Sequence, residues 1–586
     1  MGEATGPDEP VGGDRADLPK RPAGWGDLSW QPQPAVRWFS PAVVADSGVR
    51  VALATVLGAY LDKRELQAAI ATKPVDLSGR DELWIDYVAD TGDGFPATYS
   101  VAWTIARRQL DLPGLQRPLR RGDLLVLGGD QVYPTPSPRS YEQRFLGPFT
   151  AALPWAQPES RVLALPGNHD WYDGLTSFMR VFCQQKALGG RRMAQTRSYF
   201  AAQLPHRWWL WGVDSQISSY IDEPQLRFFE SLDLREGDRI ILCVAEPTWV
   251  DAPHDPHAYR NVAHLERKFV RPKGACIHLT LAGGLHHYAR YVGEDGSQKV
   301  TSGGGGAFTY PTHFLPDALS LRCDPERPEE AVRHHLAKRH PGPVWSRLQA
   351  FAAIGLAMWN PTFLALPALV DTLLLVGVIR RQRASATPWH YWDVVGNLFA
   401  GPATLSVILL LTLTLVAFAD PPKVLRRPIP RAAIQTAMGV THAFAQVLAA
   451  AGAAWVASRL TDQVAGVGGT LLAVVLAVGL AAAASAIILG GYLGIATGVP
   501  PKRWIAHSNE TFAAQRRTDA KQFVRLHLDR DGVLRLYAVG LRSVCRRWAF
   551  DPDAAEPDDP WLIPQQDLDI RLVDGPVTIG RRASEG

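Results

Sequence analysis

Asp123-Leu-Leu-Val-Leu-Gly-Gly-Asp130-Gln-Val-Tyr133 and Arg161-Val-Leu-Ala-Leu-Pro-Gly-Asn168-His169-Asp170 are built alike. Each has a short apolar run, then glycine, then side chains that bind ions or move protons. A short apolar run closed by turn formers predicts a buried strand. Outward from these two, residues 83–89, 208–213, 239–245 and 276–282 follow the same pattern. Residues 51–71 and 98–110 instead place apolar side chains at helical spacing. Strands alternating with helices predict an α/β domain with buried sheets. In such sheets the working groups sit in loops just past the carboxyl ends of strands, and that is where Asp90, Asp130 and Asn168 fall.

The chain has 586 residues, enough for two or three folding units, and a formal charge of only +4, which gives no global reason to expect a nucleic-acid partner. Five cysteines without a CxxC pair argue against a disulfide framework or a structural zinc site. Residues 1–35 begin acidic and Gly/Pro-rich, without the apolar core of a secretory signal, and predict a disordered tail. The α/β domain is expected over 36–316, with an exposed connector rich in Pro, Arg, His and Glu over 317–346.

A strongly apolar region, 347–501, follows. Its segments 348–379, 394–419, 434–458 and 464–501 each exceed the ~20 apolar residues that cross a bilayer, so four spans are expected. Four crossings put both soluble parts on one side. That side carries Lys338, Arg339, Arg347, Lys423, Arg426, Arg427, Arg431, Lys502 and Arg503; the other carries Arg380, Arg381, Arg383 and Arg459. The excess predicts a multi-pass protein of the cytoplasmic membrane with both soluble parts in the cytoplasm. In the last part, 502–586, residues 521–528 and 533–538 alternate in apolarity around Asp529-Arg-Asp-Gly532, a β-hairpin expected to pack on the N-terminal domain.

Three strand ends carry the candidate chemistry: Ala89-Asp90-Thr-Gly-Asp93-Gly, Gly128-Gly-Asp130-Gln-Val-Tyr133 and Gly167-Asn168-His169-Asp170. Oxygen donors with one or two imidazoles suit Mn, Fe, Zn or similar divalent ions. Two such ions sharing a carboxylate can hold a phosphate and ionise water. Each residue also has a structural reading. An isolated Asp after a strand caps a helix or forms a turn, which is the expectation for Asp214 and competes at Asp170. His264, His278 and His313 read as ordinary surface or core residues. Gly303–Gly306 reads as a loop or a phosphate cradle. Asp371 and His442 are the polar groups of the apolar region, where ionisable residues suggest a pathway or a buried partner.

In the order and spacing of these motifs the chain resembles the calcineurin-like metallophosphoesterases over residues 83–292. Gly129-Asp130-x-x-Tyr133 matches their G-D-x-x-D/Y, and Gly167-Asn168-His169-Asp170 matches their G-N-H-D/E. The resemblance implies a four-layer sandwich of two mixed sheets flanked by helices. It implies that Asp130 bridges two metals, that Asn168 holds the second, and that His169 contacts phosphate and acts as general acid, with Asp170 beside it in the catalytic motif. Other motifs depart from the family pattern. Asp90-Thr-Gly92 replaces D-x-H, and Asp93 is the candidate substitute. Glu246 stands at the lone-His place. In Gly283-Gly-Leu-His286-His287-Tyr288, His286 aligns with the second His of G-H-x-H, and a one-residue shift selects His287 instead. Metal candidates are therefore Asp90, Asp93, Asp130, Asn168, Glu246 and His286, with Tyr133 and His287 as substrate contacts. The expected activity is hydrolysis of a phosphomonoester or phosphodiester, on a small molecule, nucleotide or lipid, by metal-activated water beside a bilayer. Two competing readings are a catalytically degenerate membrane sensor that binds a nucleotide or lipid head group, and a transporter with a regulatory phosphoesterase domain.

Overall fold

The computed structural model describes residues 21–49, 65–153, 160–215, 220–255, 257–324, 327, 330–385, 387–422, 428–554 and 559–580. Two mixed sheets dominate the soluble part. One has eight strands in the order Ile570–Ile579, Leu534–Leu541, Lys521–Leu528, Leu83–Val88, Leu124–Leu127, Arg161–Ala164, Arg191–Met193, Ala187–Leu188. The other has nine: Val75–Asp76, Phe200–Gln203, Trp208–Val213, Arg239–Val244, Cys276–Ala282, Gln298–Ser302, Tyr288–Gly293, Val332–His340, Ala318–Leu321.

Side chains alternate between the faces of a strand, and the Leu83–Val88 strand shows how that builds layers. Leu83, Ile85 and Tyr87 enter a core shared with Trp208, Leu210, Ile241 and Leu279 of the second sheet. Trp84 and Val88 face the other way, into a core with the Phe95–Ala106 helix and Phe145, Phe149 and Phe178. The outer face of the second sheet is covered by Phe228 and Phe229 of the Glu223–Glu230 helix and by Val262 and Leu265. Each fully buried large apolar side chain contributes about 1.5–3 kcal/mol, so the sandwich is held chiefly by these three apolar layers.

Several sequence expectations need correction. The 98–110 helix lies at Phe95–Ala106, because Gly94 caps it and Pro96 sits in its first turn. The 51–71 helix falls mostly on residues 50–64, outside the described residues; Glu65–Ala69 is a short 3-10 helix. Of the expected tail, residues 1–20 lie outside the described residues, but 21–35 pack onto the domain: Trp30 is buried and Phe95 N–H donates to the Gln33 carbonyl. The 317–346 connector holds two strands of the nine-stranded sheet, Ala318–Leu321 and Val332–His340. It also holds the start of the Pro343–Ala350 helix.

The C-terminal hairpin forms as expected, with Leu528 opposite Leu534. Asp529 Oδ1 accepts the Asp531 and Val533 N–H groups, and Gly532 takes φ +73, closing the turn. It does not lie on the domain as a separate piece. Its first strand pairs antiparallel with Leu83–Val88, placing Arg525 opposite Asp86. The two side chains are fully buried and meet as a fork, Nε to Oδ1 at 2.6 Å and Nη2 to Oδ2 at 3.1 Å.

In the apolar region, three helices are long and apolar enough to cross a membrane: Pro361–Ala384, Ile429–Leu460 and Gly466–Gly498. A fourth candidate is the pair Tyr391–Ala400 and Pro402–Phe418, bent by 89° at Gly401. The first span thus begins at 361, not 348. Before it, Val344, Leu348, Phe351, Ile354 and Met358 form an exposed apolar stripe at helical spacing, the pattern of a helix lying in a membrane surface. Ala473, Ala477 and Ala481 are buried with Ala450, Ala454 and Ala457, small residues that let two spans approach closely.

Candidate active site

The parallel strands Leu83–Val88, Leu124–Leu127 and Arg161–Ala164 are in register, Val88 beside Leu127 and Leu127 beside Ala164. Their carboxyl ends therefore release Asp90, Asp130 and Asn168 at one edge. In the second sheet Val244 pairs with Ala282, so Glu246 and His286 leave neighbouring strand ends as well. Asp90 and Asp130 both adopt left-handed backbone, φ 57 and 53, uncommon for residues other than glycine and typical of functional turns.

The Tyr133 hydroxyl is the centre of the cluster. It lies 3.0 Å from Asp90 Oδ1, 3.3 Å from Asp130 Oδ2 and 3.2 Å from His286 Nε2. His286 Nδ1 lies 2.9 Å from the Phe308 carbonyl, which can only accept, so the ring proton is on Nδ1 and Nε2 is bare. One hydroxyl proton cannot serve three acceptors. Burial, reinforced by the Asp130 charge, holds the Asp90 carboxyl well above the usual range. Burial also pushes Asp130 up to about 7, opposed by the His169 N–H bond and assisted by Glu246. Burial, with Lys521 next, drives His286 well down. Two carboxyl groups, a phenol and a neutral imidazole gathered at one buried point are donor types that could hold a divalent cation. Among the described residues no group of three or more His, Cys, Asp or Glu side chains is placed to hold a metal ion.

His169 borders this cluster. Its N–H donates to Asp130 Oδ1 at 2.8 Å, and its Nδ1 donates to the Pro134 carbonyl at 2.7 Å, leaving Nε2 bare. The ring packs between Trp38, Tyr133 and Tyr172, and burial lowers its pKa to about 4. Asn168 and Glu246 stand apart from the Tyr133 hydroxyl and together line a cavity of about 490 Å³ that also touches Gly284. Asn168 Nδ2 donates to the Tyr172 hydroxyl at 3.0 Å.

Three assigned residues are turned elsewhere. Asp93 Oδ1 accepts the Val36 N–H at 2.7 Å and sits in the field of Arg144 and Arg516, so it fastens the N-terminal segment and does not replace the missing imidazole ligand. Asp170 accepts from Gly167 N–H at 2.8 Å, Gln131 N–H at 3.3 Å and the Tyr141 hydroxyl at 2.5 Å. It is a brace for the loop, in keeping with the capping role its position suggests, and not a group that meets substrate. His287 is buried against Tyr310 and Phe314, and of the two histidines it is His286 whose Nε2 reaches the Tyr133 hydroxyl. Asp214 is structural too, accepting from Trp171 and Ser198.

Sequence reasoning missed Lys521. It opens the hairpin's first strand, is fully buried, donates to the Ala307 carbonyl at 2.5 Å, and faces Asp90 and Asp93; burial lowers its pKa to about 8. The Gly303–Gly306 run is also explained by contact. A Cβ on Gly303 would overlap the Asp90 carboxylate, and one on Gly305 the Ala89 carbonyl. The run is packed under the site and is no phosphate cradle. A Cβ on Gly167 would likewise overlap the Asp130 carboxylate. Gly167→Ala is therefore expected to displace Asp130 and cost about 1–3 kcal/mol of stability, measurable as a lowered denaturation midpoint together with weaker metal uptake.

No family model and no curated protein matches the chain.

Proposed function

We propose that the protein is a membrane-anchored, metal-dependent phosphoesterase. The supporting observation is the meeting of Asp90, Asp130, Tyr133 and His286 at one buried point. These four would hold one divalent ion of the Mn, Fe or Zn kind, and Asn168 and Glu246, with Asp130, a second. Such ions supply Lewis acidity toward phosphoryl oxygens and ionise water near neutral pH. His169 is held by its backbone bond to Asp130 and its ring bond to Pro134, so its Nε2 has a fixed direction. It is neutral when the site is free; a phosphate dianion beside it favours the proton it would pass to the leaving oxygen. Trp38 and Tyr172 restrict water around that ring.

Full-length protein in detergent with Mn or Fe is expected to hydrolyse an aryl phosphate, and Asp130→Ala and His169→Ala to lose that activity. Equal turnover by wild type and both variants overturns the reading. The degenerate-sensor reading is favoured by one observation, that the hub is already a closed hydrogen-bonded cluster around Tyr133. Metal analysis separates the two: stoichiometric metal supports the enzyme, and metal-free protein that binds ligand without turnover supports the sensor.

A chain that leaves one domain at His340 and rejoins its sheet at Lys521 crosses any bilayer between them an even number of times. This supports counting the bent pair as the fourth crossing, with both soluble parts on the Lys- and Arg-rich, cytoplasmic side. Cysteines placed at Thr387 and Asp462 are expected to react with an impermeant maleimide on intact cells, and one at Asp553 only after permeabilisation. Labelling at one of the two loops alone would mean an odd number of crossings.

A further inference from the structure

Asp251 lines two cavities at once. The first, of about 490 Å³, reaches the candidate active site through Asn168, Glu246 and Gly284. Away from the site its walls are polar, with Thr248, His257, Arg260 and Asn261. The second, of about 260 Å³, has one wall from the catalytic domain, Val250, Tyr310 and Phe314. Its other wall is Ile505, His507 and Glu510, from the segment that follows the Gly466–Gly498 helix, with Asp420 just past the end of Pro402–Phe418. The second cavity therefore lies where two membrane-crossing helices end. Exposed Val499 and Trp504 stand beside it, and exposed tryptophan marks the level of lipid head groups. The junction is fixed: His313 Nδ1 pairs with Ser346 Oγ at 2.8 Å and Nε2 with the Thr497 carbonyl at 2.9 Å, and Lys502 pairs with Asp317.

We infer that the substrate is a phosphoester carried on a membrane lipid, entering through the junction cavity with its polar head in the Asn168–Glu246 cavity. This rests on the phosphoesterase reading above. Two features favour a lipid over a free phosphoester. The site's cavity and the junction cavity are neighbours that share Asp251 as a wall. The junction cavity mixes apolar walls (Val250, Phe314, Ile505) with polar ones, as a glycerol or prenyl neck requires. In the reaction, water adds across one P–O bond. Its oxygen bonds to phosphorus, the bond to the leaving alcohol breaks, one hydrogen ends on that alcohol and the other remains with the phosphate or is released.

The test uses the full chain, metal-loaded, in phosphatidylcholine vesicles carrying either phosphatidic acid or phosphatidylglycerol, with an aryl phosphate in solution as comparison. At least one lipid is expected to be cleaved with kcat/KM about tenfold or more above the aryl phosphate. Ile505→Glu, which puts charge in the apolar wall, and Ser508→Trp, which fills the cavity, are each expected to lower the lipid-to-aryl-phosphate ratio about tenfold. General damage lowers both substrates together and leaves the ratio unchanged. A photoreactive phosphatidic acid is expected to label residues 246–255 and 502–510, less in either variant. Aryl phosphate cleavage without lipid cleavage, or a ratio that neither variant moves, overturns the lipid route and leaves the phosphoesterase standing. Absence of turnover on all three substrates overturns both.

Discussion

Asp130→Ala is expected to lower kcat/KM toward an aryl phosphate at least ~10³-fold, since the metal's stabilisation of transition-state charge is worth several kcal/mol and each 1.36 kcal/mol is tenfold. Three connections fail together. The carboxylate leaves the Tyr133 hydroxyl and the proposed metal donors Asp90 and His286 beside it, and the His169 N–H loses its acceptor, so that hydroxyl, donor set and backbone bond are lost at once. Metal content should fall in parallel. Stability should move the other way. Asp130 has its folded-state pKa raised to about 7, above the ordinary carboxylate value. In chelator-treated protein the folded state therefore holds this proton more tightly than the unfolded chain does. That contribution is fully present below the ordinary value and is lost as pH rises through about 7. Chelated wild type should lose stability between about pH 5 and 8, and Asp130→Asn should lose less, a difference read from denaturation midpoints at the two ends of that window. Identical pH slopes would mean that Asp130 is not the repelled carboxylate described here.

The second large effect lies far from the chemistry. Arg525→Leu is expected to cost about 3–5 kcal/mol, because it breaks a fully buried ion pair and leaves the Asp86 carboxylate in the field of buried Arg191 without its paired guanidinium. It also removes the bond from Nη2 to the Ile105 carbonyl. With about 2–4 °C of midpoint per kcal/mol for a domain of this size, the thermal transition should fall by roughly 6–20 °C. Joining it with Asp86→Leu should recover part of the loss, since a buried pair replaced by apolar side chains is often neutral, while buried Arg191 loses the same carboxylate. If the single and double variants are equally destabilised, packing and not charge is the cause.

The strand ends of the site were legible because a short apolar run closed by glycine is a local signal: Asp90, Asp130, Asn168 and His169 all stand where that signal puts them. The hub at Tyr133 was not legible as such, since its three partners arrive from residues 90, 130 and 286 and only packing brings them together. Lys521 was invisible for the same reason: a lysine opening an alternating strand ordinarily faces water. The Val332–His340 strand was hidden by its charge. At the margin of a sheet, buried His334 alternates with exposed Arg333 and His335, and charged flanks are how edges avoid pairing with other chains. The overlong first span has a compositional cause, because a helix lying in the membrane surface and one crossing it draw on the same apolar residues. Asp93 and His287 were assigned by proximity in sequence, which cannot tell which way a side chain turns.

The strand that carries Arg525 and Lys521 has a consequence for how the protein is made. It pairs with Asp86, a residue 439 positions earlier. At 5–20 residues per second a ribosome needs roughly 20–90 s to travel that distance. Throughout that interval the nascent domain has an open sheet beside Leu83–Val88 and no lysine near Asp90. The closing strand emerges only after every apolar helix has been delivered to the translocon. The order of translation thus withholds the finished sheet and its site until the apolar helices have been made, so a chain stalled or clipped within its helices would leave an unfinished sheet for quality-control proteases.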